Sequence, residues 1–368
     1  MKNTFGNHLS LTLFGESHGE AVGAVLDGMT PGVFVDEAFI ASEMQKRRPG
    51  GALATGRTEG DRVRILSGVY RGKTTGAPIA LLIGNEDARS GDYEAIASLA
   101  RPGHADYTGF VKSRGCSDVR GGGHFSGRLT AALVAAGAIV RPALSERGIT
   151  VATHIARLAG VDDRAFSDFS ADAELLNRTD FAVLDPTACE KMKEKIAGAK
   201  AEGDSVGGIL ESVILGLPAG IGEPWFDGLE SVISHAVFSI PGVKGVEFGD
   251  GFALADLRGS QANDAMRMQG GRVVTETDHM GGIFGGISAG GPIRLRVAVK
   301  PTPSIAKEQK TVNYRRGEDA LLTLSGRHDP SIVPRARAVL DSVLVLTVAD
   351  LLMAEEARGA LGGGGENR

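Results

Sequence analysis

Short apolar runs bounded by Gly, Pro, Asn or Asp recur along this chain: Leu9 to Phe14, Gly23 to Leu26, Val63 to Leu66, Ile79 to Ile83, Thr150 to Ala156, Val206 to Leu215, Val243 to Phe248 and Ile293 to Val299. Their length and β-branched content, and the alternation of the last, predict strands. Elsewhere the apolar spacing turns helical. Asp36 stands where it caps a helix running to Arg48, with Phe39, Ile40 and Met44 on one side and Pro49-Gly50-Gly51 as its stop. Further helices are predicted over 92–100, 126–147, 187–202, 227–239 and 334–358. The 126–147 segment, capped by Ser126, carries Leu129, Leu133, Val134, Ile139, Val140 and Leu144 on so many sides that it reads as largely buried. Ala338 to Met353 is the longest apolar stretch, but Asp341, Ser342 and Asp350 break it. It is expected to be a buried helix rather than a membrane span. Residues 162–186 read as an irregular, charged surface excursion, and 249–291 as a long polar, Gly-rich region.

Strands and helices mix without a βαβ rhythm, which predicts an α+β fold. No long linker divides the chain. One domain over 1–358 and a flexible tail over 359–368, rich in Gly, are expected.

Composition sharpens this picture at a few points. Glycine is abundant, 53 of 368 residues, which without a collagen period means many tight turns and close backbone approaches. The formal net charge of −5, one Trp and four Tyr disfavour a nucleic-acid surface. Positive charge is concentrated at Lys46-Arg47-Arg48, Arg101, Arg114, Arg120, Arg128, Arg315-Arg316 and Arg327, a pattern suited to a small anionic ligand. Two cysteines, Cys116 and Cys189, make neither a disulfide framework nor a zinc site and read as structural thiols. Met1 to His8 is polar, so no signal peptide is expected, and the cytoplasm is the expected compartment.

Three histidines sit in turn-forming motifs: Gly15-Glu16-Ser17-His18-Gly19, Arg101-Pro102-Gly103-His104-Ala105-Asp106 and Gly326-Arg327-His328-Asp329-Pro330. Turns expose side chains, and Arg beside His and Asp is the material of an anion-binding acid–base site. The first motif has the letters of a Gly-x-Ser-x-Gly elbow, but a strand rather than a helix follows its Ser. In the second, Asp106 is also placed to cap a following helix. Lys46-Arg47-Arg48 equally complements a helix dipole. Gly121-Gly122-Gly123-His124-Phe125-Ser126-Gly127-Arg128 has the character of a phosphate loop without a Walker lysine. Gly281 to Gly286 offers a second close backbone approach. No metal site is predicted, since no His pair or carboxylate cluster has ligand spacing.

Taken together and in order, these stretches resemble the chorismate synthase family. The resemblance runs over nearly the whole chain and includes Gly245-Val246-Glu247-Phe248-Gly249-Asp250-Gly251-Phe252 and Arg258-Gly259-Ser260. It implies a 1,4-anti elimination of phosphate from 5-enolpyruvylshikimate 3-phosphate, giving chorismate at the end of the shikimate pathway, with reduced FMN required and no net redox change. It implies a sandwich with antiparallel sheets at the centre and helices outside, usually in a homotetramer. His18 and His104 match the family's catalytic histidines, one serving the departing phosphate and the other the reduced flavin. Asp329 matches its carboxylate base, acting through the flavin N5. Ser17 and Ser126 match hydroxyls of the site, and Arg47, Arg48, Arg101, Arg128 and Arg327 match groups that grip substrate anions. Flavin contacts carry over to His124, Phe125, Ser126, Pro241, Gly242, Gly285, Lys300, Pro301, Thr302, Pro303, Ser304 and Arg327. Many members have Arg-Ser where this chain has His124-Phe125, Asn at Asp278, Ser or Thr at Pro303, and an arginine in the Gly51-Ala52-Leu53 stretch. With no dinucleotide fingerprint apparent, NAD(P)H is expected to act only indirectly, through an outside flavin reductase. Rival readings of the same residues are a phosphate-ester hydrolase and a non-catalytic anion binder.

Overall fold

Two antiparallel sheets frame the molecule. The first has the order β1 (Thr4–Phe5), β2 (Ser10–Gly15), β3 (Ala21–Asp27), β5 (Ile79–Gly84), β4 (Val63–Ile65). The second has the order β9 (Val243–Phe248), β10 (Ile293–Val299), β8 (Gly208–Leu215), β6 (Thr150–Leu158), β7 (Val161–Asp162). Its register pairs Ser212 with Thr153 on one side and with Leu295 on the other. This computed structural model describes residues 2–48, 60–85, 98–324 and 329–359. The expected α+β class is observed.

The order of the layers differs from the expected sheets-inside arrangement. The helices Thr130–Glu146 and Val333–Gly359 pack on each other between the sheets, the first against β2, β3 and β5, the second against β6 and β8. Small residues explain the position. Ala and Gly dominate the first helix, and a Cβ on Gly137 would stand 2.5 Å from Ser342 Cβ, so the two helices touch almost backbone to backbone. The polar breaks in the last helix each have partners, with Asp341 Oδ2 meeting only the longer ion-pair contacts of Arg337 and Arg141 among the described residues. Asp341 Oδ1 accepts from Thr153 Oγ1 at 2.6 Å, Ser342 Oγ donates to Ala338 O at 2.8 Å, and Asp350 accepts from the backbone N–H groups of Asn7, His8 and Leu9. Such partners let a charged residue sit in a core. The segment Gly127–Glu146 is long and apolar enough to cross a membrane, but most of it is buried inside the protein.

Most predicted elements appear within a few residues of their expected bounds. Asp36 accepts from Ala38 N and Phe39 N and so caps Glu37–Arg47. The expected 126–147 helix starts as a 3-10 turn, Gly127–Leu129, with Ser126 accepting from Arg128 N, before it becomes α-helical at Thr130. The 162–186 stretch holds an unforeseen helix, Phe169–Asn177, capped by Asp168. Phe166, Phe169, Ala173 and Leu176 cover Ala152 and Val213 on the outer face of the second sheet. The Gly-rich 249–291 region contains hairpins at 266–275 and 283–288. Cys116 is exposed and Cys189 half-buried. The 92–100 helix, apart from its end, and the segments 49–59 and 325–328 lie outside the described residues. The tail beyond Gly359 lies outside them as well.

Candidate active site

Gly121, Gly122 and Gly123 have φ of 60°, 87° and 52°, backbone that only glycine enters freely. Space demands glycine too. A Cβ on Gly121 would meet His18 Cδ2 at 2.3 Å, one on Gly122 would meet His104 Cε1 at 3.1 Å, and one on Gly123 would meet Asp118 O at 2.0 Å. Consecutive glycines therefore bring together histidines from two distant motifs. The loop is stitched to the end of β2: Ser17 N donates to Gly123 O at 3.1 Å, and His124 Nδ1 lies 2.9 Å from Gly15 O. His124 Nε2 also reaches Asn3 Oδ1 at 3.2 Å. His124 thus braces the loop, while the Phe125 ring packs on Gly109.

Asp106 does not cap the helix Asp106–Lys112, whose N-cap position is Ala105 with no side-chain bond. Its carboxylate turns back instead. Oδ2 accepts from Arg101 N at 2.9 Å and Arg101 Nε at 2.8 Å, and Oδ1 accepts from Arg101 Nη2 at 2.7 Å. Oδ1 also lies 2.7 Å from His104 Nδ1. Burial pushes this carboxyl up, but the bonds from Arg101 and then His104 outweigh it and hold it well below the usual carboxylate range. Arg101 Nη2 lies 3.1 Å and 3.3 Å from the two ring nitrogens of His104.

A second carboxylate, Asp61, gathers the other arginines. Arg47 Nη1 donates to Asp61 Oδ2 at 2.9 Å, and Arg128 Nη1 pairs with Oδ1. Arg128 Nε donates to Asn85 Oδ1 at 2.9 Å. Arg47 and Arg128 are buried, 2% and 8% exposed, yet both line the cleft. Arg48 turns aside: it bonds Gly60 O and Gln45 Oε1 and does not line the cleft. Asp329 pairs with Arg335 Nη1, and Arg335 Nε donates to Arg47 O at 2.8 Å, tying the start of the last helix to the end of the first.

These elements surround one cleft of about 600 Å³. Arg47, Arg101, His104, His124, Phe125, Ser126, Arg128, Pro241, Gly242, Lys300, Thr302, Pro303, Ser304 and Asp329 all line it. Ser17 and His18 do not line it but touch Gly121, which does. Pro301 stays outside. So does Gly285, in the 283–288 hairpin. Arg327 and His328 lie outside the described residues. Lys300 Nζ donates to Gly103 O, and burial, then the charge of Lys244, push the Lys300 ammonium below its ordinary range. Ile240, Val243, Ile332, Ala336 and Val339 give the cleft an apolar wall. No group of His, Cys, Asp or Glu suited to a metal occurs among the described residues.

The family model for chorismate synthase matches residues 9–353. A chorismate synthase from Aeropyrum pernix is 46% identical over 357 residues, covering 97% of this chain and 94% of its own. The chain belongs to the chorismate synthase family. One from Methanosarcina mazei is 46% identical over 352 residues, covering 95% of this chain and 96% of its own. A crystal structure of chorismate synthase aligns with a TM-score of 0.74 at 28% identity, over 97% of this chain and 94% of that one. As a member of the chorismate synthase family the chain is a lyase of aromatic amino acid biosynthesis, acting on a small molecule. For a chorismate synthase-family site, motif reading missed Asp61, Asn85, Lys244 and Arg335. Asp61, with φ of 43°, carries no motif around it; Arg335 had only its place in the first turn of a helix. Asp106 was read both as part of an acid–base motif with Arg101 and His104 and as a cap; it bonds those two residues and caps nothing.

Proposed function

We propose that this chain eliminates phosphate from 5-enolpyruvylshikimate 3-phosphate to give chorismate, with reduced FMN held in the same cleft and no net redox change. The observation that carries the reading is the cleft itself, where His104, Asp329, buried Arg47, Arg101 and Arg128, and Lys300 converge in a family member. A C–O bond to phosphate and a C–H bond break, and a new C=C bond forms. Arginines fit the substrate carboxylates and the departing phosphate, where charge grows in the transition state.

The residues also fit the cofactor. A cleft of about 600 Å³ lies within the size of ligand pockets. Its apolar wall suits a planar ring, and its cationic edge at Lys244 and Lys300 suits a phosphate tail. When bound, reduced FMN supplies an electron-rich ring that a side-chain base alone cannot replace. His124, Phe125, Ser126, Pro241, Gly242 and the 300–304 segment are its proposed contacts, with Gly285 and Arg327 carried over from the family. His18 and His104 are the proposed proton donors, and Asp329, braced by Arg335, the proposed carboxylate base. Ser17 and Arg48 remain proposed members through their neighbours Gly121 and Asp61.

We further propose a homotetramer in the cytoplasm, supplied by an outside flavin reductant. Trp225, Phe226 and Phe252 are 86%, 90% and 85% exposed, large apolar side chains of the kind that self-association covers. Light scattering tests the assembly. The activity is tested by adding substrate anaerobically with and without reduced FMN. Chorismate only with reduced FMN is expected. Phosphate release without flavin would favour a hydrolase, and binding without turnover an anion binder.

A further inference from the structure

We infer that Asp106 is the positioning residue that keeps a proton on His104 Nδ1, so that Nε2 is the nitrogen that exchanges protons with the cleft. The inference deepens the proposed elimination and rests on it for the kinetic part of its test.

The argument starts from what each group can do. An ionised carboxylate only accepts hydrogen bonds, so the 2.7 Å contact between Asp106 Oδ1 and His104 Nδ1 needs the proton on Nδ1. Asp106 is fixed in place independently of His104: Arg101 supplies donors from its backbone N, Nε and Nη2. Carboxylate and guanidinium thus form a two-toothed pair whose remaining lone pair points at the imidazole. The loop carrying both is held from outside, since Lys300 Nζ donates to Gly103 O and His104 N donates to Arg101 O at 3.0 Å. Gly122, in a backbone conformation that favours glycine, closes on the ring at Cε1 and Nε2, and both residues line the cleft or adjoin its glycine floor. The carboxyl is held far below the usual range, so Asp106 stays ionised whenever His104 works.

The consequence is a division of labour within one ring. As an acid, His104 gives the Nε2 proton and keeps the Nδ1 proton, ending neutral with its bond to Asp106 intact. In Asp106→Asn the Arg101 backbone N and Nε donors would hold the amide oxygen at the Oδ2 position, while Arg101 Nη2 would lose its acceptor. The amide NH2 would then face Nδ1, which becomes an acceptor and cannot hold its proton. Neutral His104 would carry its proton on Nε2, with nothing to replace it after transfer. Arg101 would keep an oxygen partner, so substrate grip would change less than proton transfer. The same logic governs the aspartate of a Ser-His-Asp triad.

The test combines tautomer and kinetics in the full-length protein. Histidine labelled with nitrogen-15 is read by NMR at a pH where His104 is neutral, its signals identified by their loss in His104→Gln. A proton on Nδ1 in the unsubstituted protein is expected, moving to Nε2 in Asp106→Asn. A proton on Nε2 in the unsubstituted protein, or on Nδ1 still in the variant, overturns the inference. In the anaerobic assay Asp106→Asn should lower kcat at least about tenfold with KM for substrate changed less than about threefold. A loss confined to KM overturns it, because Asp106 would then serve Arg101 alone. Absence of chorismate from the unsubstituted protein sinks the proposed elimination instead, and the tautomer measurement still decides the inference. If the variant fails to fold, the tautomer of the unsubstituted protein decides it.

Discussion

His104 and His154 show two uses of one side chain. His154 is 1% exposed in the second sheet, with Nδ1 2.7 Å from Asp163 Oδ2 and Nε2 3.0 Å from Glu211 Oε2. Burial pushes it down, but the bonds and charges of Asp163 and Glu211 outweigh that and raise it above the ordinary histidine range. Both nitrogens are committed to carboxylates, so this histidine holds charge and moves nothing. His104 has one carboxylate, on Nδ1, and its Nε2 lies against a guanidinium and a glycine at the edge of a cleft. A histidine becomes chemically useful when one nitrogen is fixed and the other is left toward a ligand. Burial or the presence of a carboxylate does not by itself make the distinction.

The largest effect should come from His154→Ala. Removing the shared partner of a buried ion cluster leaves Asp163 with backbone donors alone and Glu211 with Arg294 alone among the described residues, at a cost of about 3–5 kcal/mol. Denaturant melts measure it, while turnover per folded molecule should hold; a loss below about 1 kcal/mol would erase the contrast. His104→Ala should do the reverse, lowering turnover at least roughly tenfold, about 1.4 kcal/mol of barrier, with little change in melting temperature. Near-normal rates would remove His104 from the mechanism. Gly122→Ala sits between the two. Its φ of 87° and the nearby His104 ring predict a stability loss above about 1 kcal/mol together with a drop in kcat, read in the same two assays.

The smallest effect is pH dependence. Because His154 is raised in the folded state, its stabilising contribution is complete below the ordinary histidine range and fades as pH rises through the folded value. Stability of the unsubstituted protein minus that of His154→Asn should therefore shrink as pH rises above the ordinary histidine range. A difference that grows with pH would mean that His154 is neutral in the fold.

Much of the site was legible in the chain. Gly121 to Gly123, Arg101, His104, Arg128 and Lys300 announced themselves because a turn, a cation and a close backbone approach each leave a local signature. Asp61 left none. It matters only because Arg47 and Arg128, far apart in the chain, converge on its two oxygens. Asp106 was visible in two roles, since a cap and a hydrogen-bond acceptor for His104 need the same residue at nearly the same spacing, and only the fold separates them. The Phe169–Asn177 helix was hidden among charges, although Asp168 and the spacing of Phe169, Ala173 and Leu176 mark it in hindsight.

By itself the sequence determined the elements, the α+β class and the family, because periodicity, caps and ordered motifs are written in neighbouring residues. Tertiary structure decided that the two long helices lie between the sheets, since only packing reveals that a Cβ on Gly137 would come within 2.5 Å of Ser342 Cβ. It also decided that Arg47 faces the cleft while Arg48 turns away, and that His104 meets one carboxylate and His154 two. Direction and partnership are properties of space. Two residues of the same type carry the same letter and differ only in what the fold sets against them.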